Sequence, residues 1–428
     1  MKHNNIPVNN KNQMFSRRKF IKACGSGTVL GLAASSISTT ATPLKNDEYN
    51  STQHRTTTKL NEYGFWDYTT PGAGGMEAFE YDDYMLLLDD MKQAKMNSLM
   101  IMIKWLSTGY RSRLPFLDQS PGNKIIESDN NLLRKVIDEA RKRNIKVWIG
   151  AAVTYHDTAK FGSTPHLVLK YPTLPFEVGL YDTDVPELPE RIIKIYEEIL
   201  ELFPDVDGLE VELEETGRAS SHRIPLYNQW AKSNNRSPYE EIRNNVDARY
   251  FEVKDWRDYT TYSRLKILKL IEDTVRGKRF QGDLAMICET GVREYMICQE
   301  VNTQEFKSRF PKWSAITYLP AYEKTMHRHA MMDFCIEHPK SLGLKVYYLP
   351  RGVMTWNNFN SRIKLEQSWA MEVEDVQQFI PYGMWWFGCG TKNDGGHISL
   401  SILQKMGYHD GVEARRDLLK KTAVLSAL

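Results

Sequence analysis

Residues 205–217 read DVDGLEVELEETG, and where this stretch sits decides the fold. Leu209, Val211 and Leu213 alternate with Glu210, Glu212 and Glu214, and Glu215 follows where a strand of this period would end. A period of two sets the apolar side chains on one face of a strand and the glutamates on the other. On an exposed edge strand such carboxylates stay in water at no cost. On a strand covered from both sides each one has to be paired, hydrated or protonated. The sequence on either side determines which case applies.

Seven other short runs rich in β-branched and aromatic residues occur between Lys59 and Leu428. With the acidic stretch they give eight expected strands at 63–68, 98–105, 145–155, 206–213, 283–289, 314–319, 344–349 and 382–387. The segments between them carry the helical period. Tyr81–Lys95 keeps Tyr84, Leu87, Leu88 and Met91 on one face, and Asn130–Arg143 opens after the capping pair Ser128 and Asp129. The latter ends in Arg141-Lys142-Arg143, the charge that suits a helix C-terminus. Leu188–Phe203, Tyr262–Arg276 and Arg362–Phe379 read as helices for the same reasons.

Strand followed by helix, repeated eight times, implies an α/β chain folded as a (β/α)8 TIM barrel. Most strand starts are 30 to 38 residues apart, whereas the second, third and fourth repeats take 47, 61 and 77. The excess falls after the strand in each case, in Leu106–Glu127, His156–Glu187 and Thr216–Thr261. Such connections open on the C-terminal face of a barrel, so long loops after strands two, three and four would wall a cleft there. The competing open sheet of dinucleotide-binding type expects a G-x-G-x-x-G turn after its first strand, and Thr69–Gly75 (TTPGAGG) does not supply one.

The N-terminal segment carries a different signal. Ser16–Lys22 (SRRKFIK) places two arginines ahead of a phenylalanine and the mildly apolar run Ala23–Ile37, and small residues lead to Ala41. This resembles a twin-arginine export signal, which implies a periplasmic or secreted protein. The expected organisation is a signal peptide over 1–41, a Ser/Thr/Asn-rich linker over 42–59 and a barrel domain over 60–428. Cys24 precedes the apolar run, so no lipid anchor is expected, nor any membrane anchor once the signal is removed. A net charge of +2 without a basic block argues against nucleic acid as a partner. Cys288, Cys298, Cys335 and Cys389 are widely spaced; they read as buried thiols or as one or two disulfides, not as a zinc site. Ten Trp and twenty-two Tyr suit both a large core and sites that stack on flat ligands or sugar rings.

In a barrel the acidic strand is the fourth, with Val211 and Leu213 toward the helices and Glu210, Glu212 and Glu214 toward the lumen. A carboxylate low in the lumen needs a partner there, and Lys104 and Lys345 are candidates. Glu214 and Glu215 fall at the rim, where partial burial can bring a carboxyl group toward neutral titration and so fit it for general acid or base work. The best second carboxylate is Glu289 at the end of strand five, ahead of Glu323 and Asp67. Asp67, Lys104, Trp105, Tyr155, His156, Tyr318 and Arg351 stand at strand ends and are candidate ligand contacts. Trp385 and Trp386 point to opposite sides of strand eight; the inward Trp385 is either a stacking floor for a ring or a core residue.

The run Asp207-Gly208-Leu209-Glu210-Val211-Glu212-Leu213-Glu214-Glu215 resembles the fourth strand of α-glucuronidase-like and β-hexosaminidase-like glycoside-hydrolase barrels. Those families carry Gly or Asp where Glu214 stands, and no Gly-Gly precedes the pair here. The resemblance implies a carbohydrate substrate, Glu215 as general acid and Glu214 as its orienting neighbour, with no cofactor and no metal. Two other readings share the fold. One is a carbohydrate-binding barrel without catalysis. The other is a sugar-isomerase-like barrel in which glutamates with His156 and Asp157 hold a divalent ion.

Overall fold

The computed structural model describes residues 59–67, 80–103, 113–114, 132–152, 155–157, 167–170, 177–180, 184, 186–213, 219–249, 253–289, 302–318, 332, 336–350, 361–388, 390–392 and 400–428. The chain divides into Met1–Thr56, which lies outside them, and Thr57–Leu428. The expected signal peptide and all of the expected linker but Lys59 therefore fall outside the described residues.

In the second unit the elements run β1 (Glu62–Asp67), α1 (Tyr81–Gln93), β2 (Ser98–Ile103), α2 (Leu132–Lys142) and β3 (Lys146–Ala152). Then come β4 (Tyr155–Asp157), β5 (Leu167–Lys170), β6 (Glu177–Leu180), α3 (Leu188–Leu202) and β7 (Gly208–Glu212). They continue with α4 (Arg223–Ser233), α5 (Tyr239–Arg249), α6 (Lys254–Gly277), β8 (Asp283–Glu289), α7 (Asn302–Arg309) and β9 (Trp313–Tyr318). The chain ends with α8 (His338–Ser341), β10 (Val346–Leu349), α9 (Arg362–Phe379), β11 (Gly383–Phe387), α10 (Leu400–Lys405), α11 (Gly411–Lys421) and a 3-10 turn over Ala423–Ala427.

Eight of these strands close into a parallel barrel in the order β1-β11-β10-β9-β8-β7-β3-β2. All eight are the runs expected from sequence, with ends shifted by up to three residues. The barrel closes where β11 meets β1, with Glu62 opposite Gly383 and Phe65 opposite Trp386. A closed barrel has no edge strand, so the acidic strand β7 is covered by β3 and β8 and by helices outside.

Alternation assigns the two faces. Leu209, Val211 and Leu213 join a core between sheet and helices that includes Leu87, Leu88 and Met91 of α1 and Tyr196 and Ile199 of α3. Each of those side chains, fully withdrawn from water, contributes about 1.5–3 kcal/mol. Trp66, Met100, Trp148, Tyr347, Trp385 and Phe387 alternate with outward residues and fill the lumen. Helix ends are fixed locally: the Ser361 hydroxyl accepts from the Lys364 amide at the start of α9, and the Asp410 carboxylate accepts from the Glu413 amide at the start of α11. Among the described residues no helix is long and apolar enough to cross a membrane.

The lumen floor centres on Glu62, a residue the sequence reading passed over. Its carboxylate accepts hydrogen bonds from Ser98 Oγ at 2.9 Å, Trp148 Nε1 at 2.9 Å and Lys146 Nζ at 3.1 Å, and Tyr347 O–H lies at 3.4 Å. Ser98 in turn accepts from Trp385 Nε1 at 2.9 Å. Burial, reinforced by the nearby Glu62 charge, pushes the Tyr347 phenol far above its ordinary range. The expected low partner Lys345 is half exposed and lies 3.8 Å from Asp283, so it serves the barrel's outer floor instead. Glu62→Gln would aim an amide N–H₂ at donors that need an acceptor. We expect it to cost about 2 kcal/mol, read as a lower urea midpoint at unchanged slope.

Two connections hold more structure than loops. Tyr155–Asp157 does not continue β3, which ends at Ala152; it forms β4 of a separate antiparallel sheet in the order β4-β6-β5. The expected loop Thr216–Thr261 contains α4, α5 and the first turns of α6, which starts at Lys254 instead of Tyr262. These helices have their own small core of Tyr227, Ala231, Tyr239, Val246, Trp256 and Tyr259. Tyr227 is buried there, its hydroxyl donating to the Ser237 carbonyl at 2.7 Å. Burial first, and then the charge of Asp255, push its phenol up to about 12.

A phenol that holds its proton more tightly when folded stabilises fully below pH 10, its ordinary value, and loses that contribution as pH climbs to about 12. In that window the unfolded chain ionises first and stability falls. Tyr227→Phe should cost about 1 kcal/mol at neutral pH through the lost hydrogen bond, and should flatten the alkaline decline between pH 10 and 12 relative to the parent. Urea midpoints of both proteins across that range test this.

Candidate functional site

The C-terminal ends of the barrel strands define the face on which barrels carry their sites. On β7 the lumen-facing positions are Glu210 and Glu212, 0% and 1% exposed. Gly150 of β3 pairs with Glu210 and makes room for it: a Cβ there would come 2.5 Å from Glu210 Oε2 and 2.6 Å from Met102 Sδ. The Glu210 carboxylate thus lies across β3. Behind the sheet, Tyr196 O–H reaches the Glu210 carbonyl at 3.5 Å, and burial, with a smaller part from the Glu210 charge, holds this phenol well above its usual range.

Glu214 and Glu215 lie outside the described residues. Glu289 is the last residue of β8, and its backbone pairs with Tyr318 at the end of β9. The register of β7 with β8 runs from Gly208–Asp283 to Val211–Met286. Glu214 and Glu289 each stand three residues beyond that last pair.

The other expected contacts separate. Asp67 shares its parity with Tyr63 and Phe65, and its carboxylate accepts from Tyr84 O–H of α1 at 2.7 Å, so it lies behind the sheet and not at the cleft. Trp385 does face the lumen but low in it, stacked on Tyr347 at 4.4 Å and edge-on to Trp148 at 5.4 Å. Phe387, two residues higher, packs on Trp66 at 4.6 Å, which makes Trp385 a core residue and not a stacking floor. Tyr155 and His156 pair with Leu180 and Gly179 in the small sheet, away from the strand end where they were expected. Lys104, Trp105 and Arg351 fall outside the described residues.

One polar cluster on this face was missed from sequence. Asp184, between β6 and α3, accepts from Arg223 Nε at 3.1 Å, Tyr259 O–H at 3.0 Å and Ser263 Oγ at 2.8 Å. The Arg223 side chain is fully buried, and its guanidinium lies 5.3 Å from the rings of both Trp256 and Tyr259. Burial pushes the Tyr259 phenol far above its ordinary range, and the Asp184 charge adds to it. Among the described residues no three or more His, Cys, Asp or Glu side chains form a group that could hold a metal.

No protein-family model matches this chain, and no curated protein matches it in sequence. The class that fold and site define is a (β/α)8 barrel with a carboxylate-bearing fourth strand, and solved structures of barrel enzymes overlay on it. The catalytic domain of a β-amylase from Paenibacillus polymyxa matches 77% of this chain and 93% of its own, with 8% identity and a TM-score of 0.47. A chitobiase from Flavobacterium johnsoniae matches 86% of this chain at 12% identity and a TM-score of 0.45; the match spans only 51% of that enzyme. A D-psicose 3-epimerase from Clostridium cellulolyticum H10 covers 85% of this chain and 96% of its own, at 10% identity and a TM-score of 0.41.

Proposed function

We propose that this protein is an exported glycoside hydrolase that cleaves a glycosidic bond in a poly- or oligosaccharide by carboxylate general acid/base catalysis. The observation that carries the reading is the position of β7. It is an interior strand of a closed barrel, it turns Glu210 and Glu212 into the lumen, and Glu214 and Glu215 follow it in the sequence; the C-terminal ends of barrel strands form the face where barrels hold their chemistry. Carboxylates kept at such a place at the cost of desolvation suit proton transfer to a departing sugar oxygen. Glu215 is the general acid, Glu214 its neighbour, and Glu289 the second carboxylate, from the adjacent strand.

The test is an assay of the mature chain, from residue 42 onward, against a panel of aryl glycosides and oligosaccharides, with and without chelator. Turnover that survives chelation is expected. Binding without turnover across the panel would leave a carbohydrate-binding barrel, and turnover abolished by chelator and restored by one metal would favour the isomerase-like class. Export rests on Arg17 and Arg18: changing both to Lys should keep the protein out of the periplasmic or secreted fraction without altering its fold.

A further inference from the structure

Asp184 belongs to the connection between the third barrel strand and α3, whereas Arg223, Thr260 and Ser263 belong to the connection between the fourth and fifth barrel strands. The bonds between them are the described side-chain links that join these two top-face connections around a buried charge. Among the described bonds Arg223 directs its planar fork to Asp184 through Nε and to Thr260 Oγ1 through NH2 at 3.2 Å, and the rings of Trp256 and Tyr259 each lie 5.3 Å from the guanidinium. A well-packed apolar pair would hold two loops together as firmly as a buried ion pair does. A fork bonded on two edges adds direction, since it accepts one orientation of its partners.

The pair also stands at a particular place in the chain. Leu213, the residue after β7, is buried against the helix layer. Arg223 is the first residue of α4, and its amide donates to Ser220 Oγ at 3.2 Å. The segment between these two anchors carries Glu214 and Glu215.

We infer that the Asp184–Arg223 pair is a positioning device: it joins the third and fourth top-face connections into one wall and fixes the far anchor of the segment that bears the rim glutamates. The kinetic part of this inference rests on the hydrolase reading above; the mechanical part does not.

Asp184→Asn keeps the shape of the side chain and removes the charge. Hydrogen exchange of the mature protein should then quicken at least tenfold in residues 177–187 and 219–233 together. On an aryl glycoside that the parent hydrolyses, kcat should fall at least tenfold with KM within threefold, and Asp184→Glu should bring kcat back to within threefold. Arg223→Lys, which keeps the charge and loses the fork, should show the same paired loosening and provides the second reading if Asp184→Asn does not fold. Loosening confined to residues 177–187, or kcat unchanged in a folded Asp184→Asn, would overturn the inference. A parent inactive on every glycoside whose two segments still loosen together would sink the hydrolase reading and support the clasp.

Discussion

Glu215→Gln should lower kcat by about a thousandfold, within the range that loss of a general acid costs, while KM changes little. An amide has nearly the shape of a carboxyl group but no proton to give, so binding of a sugar survives and protonation of its leaving oxygen does not. Glu214→Gln should cost less, about tenfold to a hundredfold, since an orienting neighbour acts through the acid and not on the bond itself. Both variants should keep the parent's denaturation midpoint. Full activity of Glu215→Gln would remove this residue from the mechanism. A larger loss in Glu214→Gln would exchange the two roles. A substrate with a leaving group that needs no protonation should narrow the deficit of Glu215→Gln and leave that of the second-carboxylate variant Glu289→Gln as large as before.

Gly64→Ala should prevent the barrel from forming. A Cβ at this position would lie 1.5 Å from the backbone oxygen of Ser98 and 2.6 Å from its carbonyl carbon, and backbone in a paired strand cannot swing aside as a long side chain can. Gly64 pairs with Ser98 on one side and Trp385 on the other, so room made toward one neighbour is taken from the second. The shift would also break the chain of hydrogen bonds from Trp385 through Ser98 to Glu62. A cost of about 4 kcal/mol or more is expected, a large part of the 5–15 kcal/mol that holds a typical domain folded. Soluble yield and the thermal midpoint are the measurements. Gly277→Ala is the matching control: it closes α6 with nothing within 4 Å of the added methyl, and should raise stability by about 0.5–1 kcal/mol.

The parts of the fold that were legible from sequence are those in which one period dominates. Ser98–Ile103 and Lys146–Ala152 are nearly unbroken apolar runs, as strands buried on both faces require, and Arg362–Phe379 begins and ends where its capping serine and helical period place it. The start of α6 was hidden because Lys254–Thr261 is largely polar; Trp256 and Tyr259 pack on α4 and α5, and not on the barrel. The small sheet of β4, β5 and β6 was hidden because its strands are three and four residues long, too short for a period to show.

The site was legible in part for a related reason. Parity on β7 set Glu210 and Glu212 in the lumen correctly, because apolar and acidic residues alternate there. The same parity, applied to β1, would have turned Glu62 inward with Gly64 and Trp66 and turned Asp67 outward with Tyr63 and Phe65. Standing at a strand end does not bring Asp67 to the cleft, because alternation turns it toward the helices, where Tyr84 O–H meets it. The Asp184–Arg223 pair left no sequence signal, since it joins residues 39 apart whose proximity depends on the packing of two insertions.

The pairing of β11 with β1 bears on how the protein is made. Glu62 and Gly383 become neighbours only after more than three hundred intervening residues exist. During synthesis the growing sheet therefore holds two open edges, one on β1 and one on the newest strand. Each is a row of unpaired backbone groups ready to pair with another chain. The arrival of Gly383–Phe387 seals both at once, and until then each edge is exposed to pairing with another chain.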